Sequence, residues 1–387
     1  MIRQAQKFLD KLELDRTGRP GRSALLANDD RIVGTGADDL CQLGHELLER
    51  LNVVAVALVE PALPFADFLI RNAGRAESCL VPRDTETRTF LHDIPFVRHQ
   101  ELATQPADQL ARLLGNRKGI LVEGLGIIAT GAVTPEQAYI NVSSIFHSVF
   151  VKYLLDILGE KSLSAEEQLA LADFQKNWLK PLASDIAFAP AGTLDERAHI
   201  LDEICRIGRE TVRLGLVDSF FGNISLRHQE TIYISQTAAS LDELEGCIDP
   251  VPIDNSSTCG ITASSELLAH QKVYAQTGAR TLLHGHPKFA VIMSMICETA
   301  ECPITDCWKD CPHVRQVGTI PIVAGEVGAG GLAERIAPVI GEPGAVMVFG
   351  HGVFAIGRDG FRDALAAMIA TEEWCRNEYF RRLEANG

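Results

Sequence analysis

Two histidines, His284 and His286, stand one residue apart at the end of the apolar run 281–283. In an extended chain, residues i and i+2 project to the same face, so both imidazoles can reach one ion. Gly285 between them leaves the opposite face small, and Pro287 ends the ladder, as where a strand opens into a pocket. A third histidine, His351, lies between Gly350 and Gly352 after another apolar run, where backbone can approach closely. Three imidazoles that leave a position open are the donor set of a catalytic zinc site. A hydrogen-bonded core or strand-end histidine is the competing reading of each one alone. Glu266 is the candidate acid/base beside the triad, and it closes the stretch Thr262-Ala263-Ser264-Ser265-Glu266 before a helical run. Ser264 is expected as the N-cap, with the free N–H groups of the first turn offering an anion site. Ordinary capping, with Glu266 merely favouring the helix dipole, is the alternative. A third stretch, Gly222-Asn223-Ile224-Ser225-Leu226-Arg227, reads as a glycine turn entering a strand.

The elements that would position these residues come from an internal repeat. Residues 120–131 (ILVEGLGIIATG) match residues 346–357 (VMVFGHGVFAIG), with Gly124, Gly126 and Gly131 against Gly350, Gly352 and Gly357. The same offset sets Ile94-Pro95 against Ile320-Pro321, and a two-residue gap aligns residues 58–66 with 282–290. In that alignment His351 faces Leu125, while His284 and His286 face Glu60 and Ala62. All three imidazoles are absent together from the copy that shares the fold, as expected of ligands that share a metal. The first copy reads as truncated, since nothing before residue 36 resembles residues 194–235. Within the second copy the pattern predicts helices over 194–216, 264–276 and 362–383. It predicts strands after Gly222 and at 232–235, 281–284, 319–323 and 345–349. Strands and helices alternate, which is the pattern of the α/β class.

At 387 residues the chain is long enough for two domains, and 46% hydrophobic residues supply packed cores. Its net charge of -15 disfavours binding to nucleic acid or to an anionic membrane surface. No apolar run is long enough to span a bilayer, and no export signal is visible. Ten scattered cysteines then point to a reducing cytoplasm. Cys297, Cys302, Cys307 and Cys311, with His313 just beyond, form one cluster that could hold a second metal or remain free thiols.

In order and spacing, these motifs resemble the class II aldolase/adducin family. The series is Gly222-Asn223-x-Ser225-x-Arg227, Ser264-Ser265-Glu266 with His270 and Tyr274, His284-x-His286-Pro287, then Gly350-His351-Gly352. The resemblance implies an αβα fold around a mainly antiparallel sheet, present twice. It assigns 1–160 to a degenerate copy without metal ligands, 161–193 to a helical linker and 194–387 to the catalytic domain. It further implies Zn2+ or a similar divalent ion on His284, His286 and His351, with Glu266 as the catalytic carboxylate. The anionic end of a sugar-phosphate-like substrate would meet Asn223, Thr237, Ser264 and Ser265. The implied function is that of an aldolase-type lyase acting on a small carbonyl substrate through a metal-stabilised enediolate, in a homo-oligomer (dimer or tetramer). An epimerase or dehydratase on the same metal, or an adducin-like binding module, are the alternatives. One departure bears on the substrate. A family glycine that admits a phosphate is here Ala238, in Ser235-Gln236-Thr237-Ala238, so a carboxylate or non-phosphorylated carbonyl compound also fits.

Overall fold

A computed structural model describes residues 1–159, 163–182, 185–188, 194–218, 220–299, 302–325 and 328–386. The chain divides into two compact units, Met1–Leu179 and Lys180–Gly387. The expected linker, 161–193, includes residues 161–162, 183–184 and 189–193, which lie outside the described residues.

The first unit runs α1 (Ile2–Leu14), β1 (Gly18–Asn28), β2 (Ile32–Gly36), α2 (Asp38–Leu48), β3 (Ala55–Pro61), α3 (Phe65–Asn72) and β4 (Cys79–Leu80). It continues with α4 (Thr85–Leu91), β5 (Ile94–Val97), α5 (Ala107–Leu114), β6 (Gly119–Val122), β7 (Gly126–Gly131), α6 (Pro135–Ile157) and α7 (Ala165–Asp173). The second unit opens with α8 (Arg197–Arg213), β8 (Asn223–His228), β9 (Thr231–Ser235), β10 (Ile248–Pro252), α9 (Leu267–Gln276), β11 (Thr281–Gly285) and α10 (Lys288–Ser294). It then has α11 (Cys307–Asp310), β12 (Arg315–Val317), β13 (Ile320–Val323), α12 (Gly328–Ile336), β14 (Ala345–Val348), β15 (Gly352–Gly357) and α13 (Phe361–Asn386).

The sheet of the first unit has the order β2-β1-β3-β7-β6-β5-β4, and that of the second β10-β9-β8-β11-β15-β14-β13-β12. Apart from β10, the two paths are the same. Each sheet is antiparallel except for one parallel pair, β5 with β6 and β13 with β14. In the second unit Leu282, Phe354 and Ile356 pack with Val273 of α9 and Ile336 of α12 in one apolar cluster. Helices α10 and α13 cover the other face, against β11, β14 and β15. This is an αβα sandwich, and a sheet covered on both sides needs strands apolar on both faces. Strand β11, TLLHG, is buried along its whole length, so His284 enters the core only with its polar atoms satisfied.

The pairing registers correct two expectations. Ala55 pairs with Gly131 and Thr281 with Gly357, so one offset of 226 residues holds across the β3–β7 and β11–β15 ladders. His284 therefore corresponds to Leu58, and His286 to Glu60, rather than to Glu60 and Ala62. The two-residue difference falls in the turns that lead to α3 and α10, where chain length is free to vary without disturbing a ladder. Nor is the first copy truncated. It starts α1-β1-β2 as the second starts α8-β8-β9, and these strands hold the same places in the sheet. The resemblance was hidden because position in the ladder, not residue type, is shared.

Candidate metal centre

His284 is 1% exposed, and on β11 it lies between Asn223 of β8 and Phe354 of β15. Its Nδ1 is 3.0 Å from the carbonyl oxygen of Val353. A carbonyl only accepts, so Nδ1 carries the proton and a neutral ring turns the Nε2 lone pair into the site. His286 Nε2 lies 3.0 Å from that Nε2. His351 comes from the turn between β14 and β15, where Gly350 takes φ +60° and donates its N–H to Ser294 Oγ at 2.8 Å. One nitrogen from each ring falls within 4.8 Å of the others. Tetrahedral ligands at the usual zinc distances lie about 3.3 Å apart, so modest ring rotations close the set. Donor type and spacing, and at His284 the lone-pair direction, fit a divalent ion.

Glycines make this approach of three rings feasible. A Cβ on Gly352 would collide with the Gly285 carbonyl and come within 2.6 Å of His286 Cδ2 and 3.0 Å of His284 Cε1. A Cβ on Gly285 would meet the Leu216 carbonyl at 2.7 Å. Gly352→Ala should therefore cost about 1–3 kcal/mol of stability and weaken zinc at least about tenfold. Denaturant titration and competition with a chromogenic chelator measure the two effects, and a variant with wild-type zinc affinity would contradict the packing argument.

Glu266 faces the triad, with Oε1 3.2 Å from His351 Nε2 and Oε2 3.6 Å from His284 Nε2. Asn223 Nδ2 donates to Oε2 at 2.6 Å. In the metal-free site burial pushes this carboxyl up, while positive charge on His284 and His351 when those rings are protonated, with the bonds from His351 and the Asn223 amide, pulls it below the usual carboxylate range. Glu266, not Ser264, occupies the N-cap position of α9. Ser264 sits in the preceding turn, where its N–H bonds Ser235 and its Oγ accepts the Glu266 N–H at 3.3 Å. The bridge between Gln236 and Ala263 ties this segment to β9, so the helix starts later than its capping residues suggest.

The other expected substrate residues are dispersed in role. Ser265 and Thr237 are exposed, and Thr237 Oγ1 donates to the Ala263 carbonyl at 2.8 Å. Asn223 is buried, its amide held between Glu266 and His270. Ala238 takes φ +61°, keeping a glycine's conformation on an exposed turn with a methyl group added. Two residues went unnoticed at the level of sequence. Ser294 holds the Gly350 turn, and buried Glu372 of α13 accepts the N–H groups of Phe289 and Ala290 at the start of α10. An acid set into the apolar face of a long helix was the available signal for the second.

His270 of α9 is fully buried, and burial pushes its imidazole down to about 3, Glu266 opposing in part. A depressed histidine stabilises the fold fully above the unfolded value of about 6.5, and that contribution is lost as pH falls toward the folded value. Metal-free protein should lose about 2 kcal/mol between pH 7 and pH 4.5 that His270→Gln does not lose. Urea titrations of both proteins at the two pH values check this.

The cysteine cluster, expected either to hold a second metal or to remain free thiols, consists of free thiols here. Among the described residues, the histidine triad is the group of three or more His, Cys, Asp or Glu ligand atoms that converges. Cys307 Sγ points to the Ile304 carbonyl and Cys311 Sγ to that of His313, while Cys297 and Cys302 are exposed. Burial raises the Cys307 thiol, and Cys302, Cys311 and Cys297 lie near enough to add to that rise, yet the four do not close to ligand spacing.

Residues 202–379 match the family model described as the class II aldolase and adducin N-terminal domain. Among solved structures, L-fuculose-1-phosphate aldolase from Thermus thermophilus is 25% identical, covering 49% of this chain and 97% of its own, with a TM-score of 0.41. A sugar-phosphate aldolase from Thermotoga maritima is 17% identical over 49% of this chain and 96% of its own, with a TM-score of 0.36. An aldolase II superfamily protein from Pseudomonas syringae is 16% identical over 46% and 73%, with a TM-score of 0.35. Comparison with curated proteins returned no match. The described residues contain no helix long and apolar enough to cross a membrane. The similarity to the class II aldolase and adducin family thus lies within the C-terminal unit of this chain, over residues 202–379.

Proposed function

We propose that the chain is a metal-dependent aldehyde-lyase that cleaves or forms a carbon–carbon bond in a small hydroxy-carbonyl compound. The observation that carries this reading is the Glu266 carboxylate, set 3.2–3.6 Å from two imidazoles whose third partner completes a metal-sized triad. His284, His286 and His351 would hold the ion, which supplies Lewis-acid stabilisation of charge developing on substrate oxygens. Cleavage requires removal of the β-hydroxyl proton, and protonation of the α-carbon follows. Glu266, with its carboxylate oxygens 3.2 Å from His351 Nε2 and 3.6 Å from His284 Nε2, is placed to take the first proton and return it. Exposed Thr237 and Ser265 are the residues proposed to meet the far end of the substrate, with Ser264 behind them and Asn223 acting mainly on Glu266. The turn at Ala238 brings no cation to that end, so phosphorylated and non-phosphorylated compounds both belong in the test. The first unit, with Leu58, Glu60 and Leu125 at the three ligand positions, is the metal-free copy in a proposed homo-oligomer.

L-Fuculose 1-phosphate, L-fuculose and shorter hydroxy-ketones should be screened for aldehyde release with zinc-loaded wild type and His284→Leu. Release that requires His284 supports a lyase. Equal release by both proteins, or failure of the folded wild type to bind any divalent ion, would favour a binding module instead.

A further inference from the structure

Behind Glu266 a line of buried polar groups runs away from the metal centre. Asn223 Nδ2 donates to Glu266 Oε2 at 2.6 Å, and Asn223 Oδ1 lies 2.6 Å from His270 Nε2. His270 Nδ1 lies 2.7 Å from Ser225 Oγ, and the Tyr274 hydroxyl is 2.6 Å from the same oxygen and 3.1 Å from the Ser225 carbonyl. Donor logic fixes the direction of the links from Glu266 to Ser225. A carboxylate only accepts, so Asn223 presents its NH2 to Glu266 and its oxygen to His270. His270 Nε2 must then donate, and its Nδ1 accepts from the Ser225 hydroxyl. Asn223, Ser225, His270 and Tyr274 are all buried, where such a chain is sound only when each member is satisfied.

The fold does not require this chain. In the first unit Ala24 holds the ladder position of Asn223, and Leu26 that of Ser225, packed with Leu40 and Leu47 of α2. The polar line is thus absent from the copy that also lacks the three histidines. We propose that His270 is a positioning residue which, through Asn223, holds the Glu266 carboxylate in its working orientation; this rests on the lyase reading above. The contacts of Glu266 with His284 and His351 compete with metal ligation of those rings. The bond from Asn223 does not, and His270 keeps its donor aimed.

Two measurements test this. In metal-free wild type with 15N-labelled histidine, NMR should show His270 as the Nε2–H tautomer; an Nδ1–H tautomer overturns the proposal whether or not any substrate is found. With zinc-loaded protein, His270→Gln keeps a donor near the Nε2 position, whereas His270→Asn reaches only as far as Ser225. Zinc content should stay at wild type in both. Turnover of the hydroxy-carbonyl compound identified with wild type should fall about 10–100-fold in His270→Asn with KM little changed, and stay within about threefold in His270→Gln. Equal losses in the two variants, or none in either, would overturn it. Should His270→Asn fail to fold, the tautomer and His270→Gln still decide.

Discussion

Glu266→Gln should retain its zinc and lose about 10²–10⁴-fold in turnover. The amide keeps the shape of the carboxylate and can still accept from Asn223 Nδ2, so the packing of the site survives. What disappears is a base. A carboxylate beside the metal ligands can take up and return a proton, which a neutral amide cannot do. Metal content by elemental analysis, read beside kcat for the same preparation, separates the two roles. Turnover within tenfold of wild type would place the proton carrier elsewhere. A parallel loss of zinc would make Glu266 a ligand instead.

His284→Leu should abolish high-affinity zinc binding and leave a folded protein. Leucine is chosen because Leu58 occupies the corresponding ladder position of the first unit, opposite Ile128 where His284 stands opposite Phe354. The wild type, unlike the variant, should be stabilised by zinc, by about 4 kcal/mol at a free concentration near 1,000 times Kd. Thermal melts of both proteins with and without zinc measure the difference. Turnover should fall by at least about 10³-fold, since both the Lewis acid and the geometry around Glu266 are lost together. A zinc-dependent shift of wild-type size in His284→Leu would move the ion to other ligands.

The convergence of the three candidate ligands was legible in the residues because its signals are local. His284 and His286 share a strand face through their spacing, and His351 is marked by flanking glycines, one of which admits no Cβ. The repeat was legible where the two copies keep the same residues, as in the glycine pattern of β6–β7 and β14–β15. It was misread at β3 because Phe65-Ala66 and Phe289-Ala290 anchor helix starts, beyond a turn of unequal length. It went unseen at β1 and β2, where shared ladder positions carry different chemistry, Ala24 for Asn223 and Leu26 for Ser225. The start of α9 was set too early because the capping chemistry of Ser264 is spent in a turn held by the Gln236–Ala263 bridge. Asn223 was expected to meet substrate. Its commitment to Glu266 and His270 depends on the pairing of β8 with β11, which no local pattern encodes.

Zinc-edge X-ray absorption on the purified full chain addresses the central claim directly. Nitrogen scatterers at about 2.0–2.1 Å with the multiple-scattering pattern of three imidazoles, and no sulfur shell, are the expected result. A sulfur shell near about 2.3 Å would place the ion on the thiols of the 297–311 segment and contradict a centre built from His284, His286 and His351.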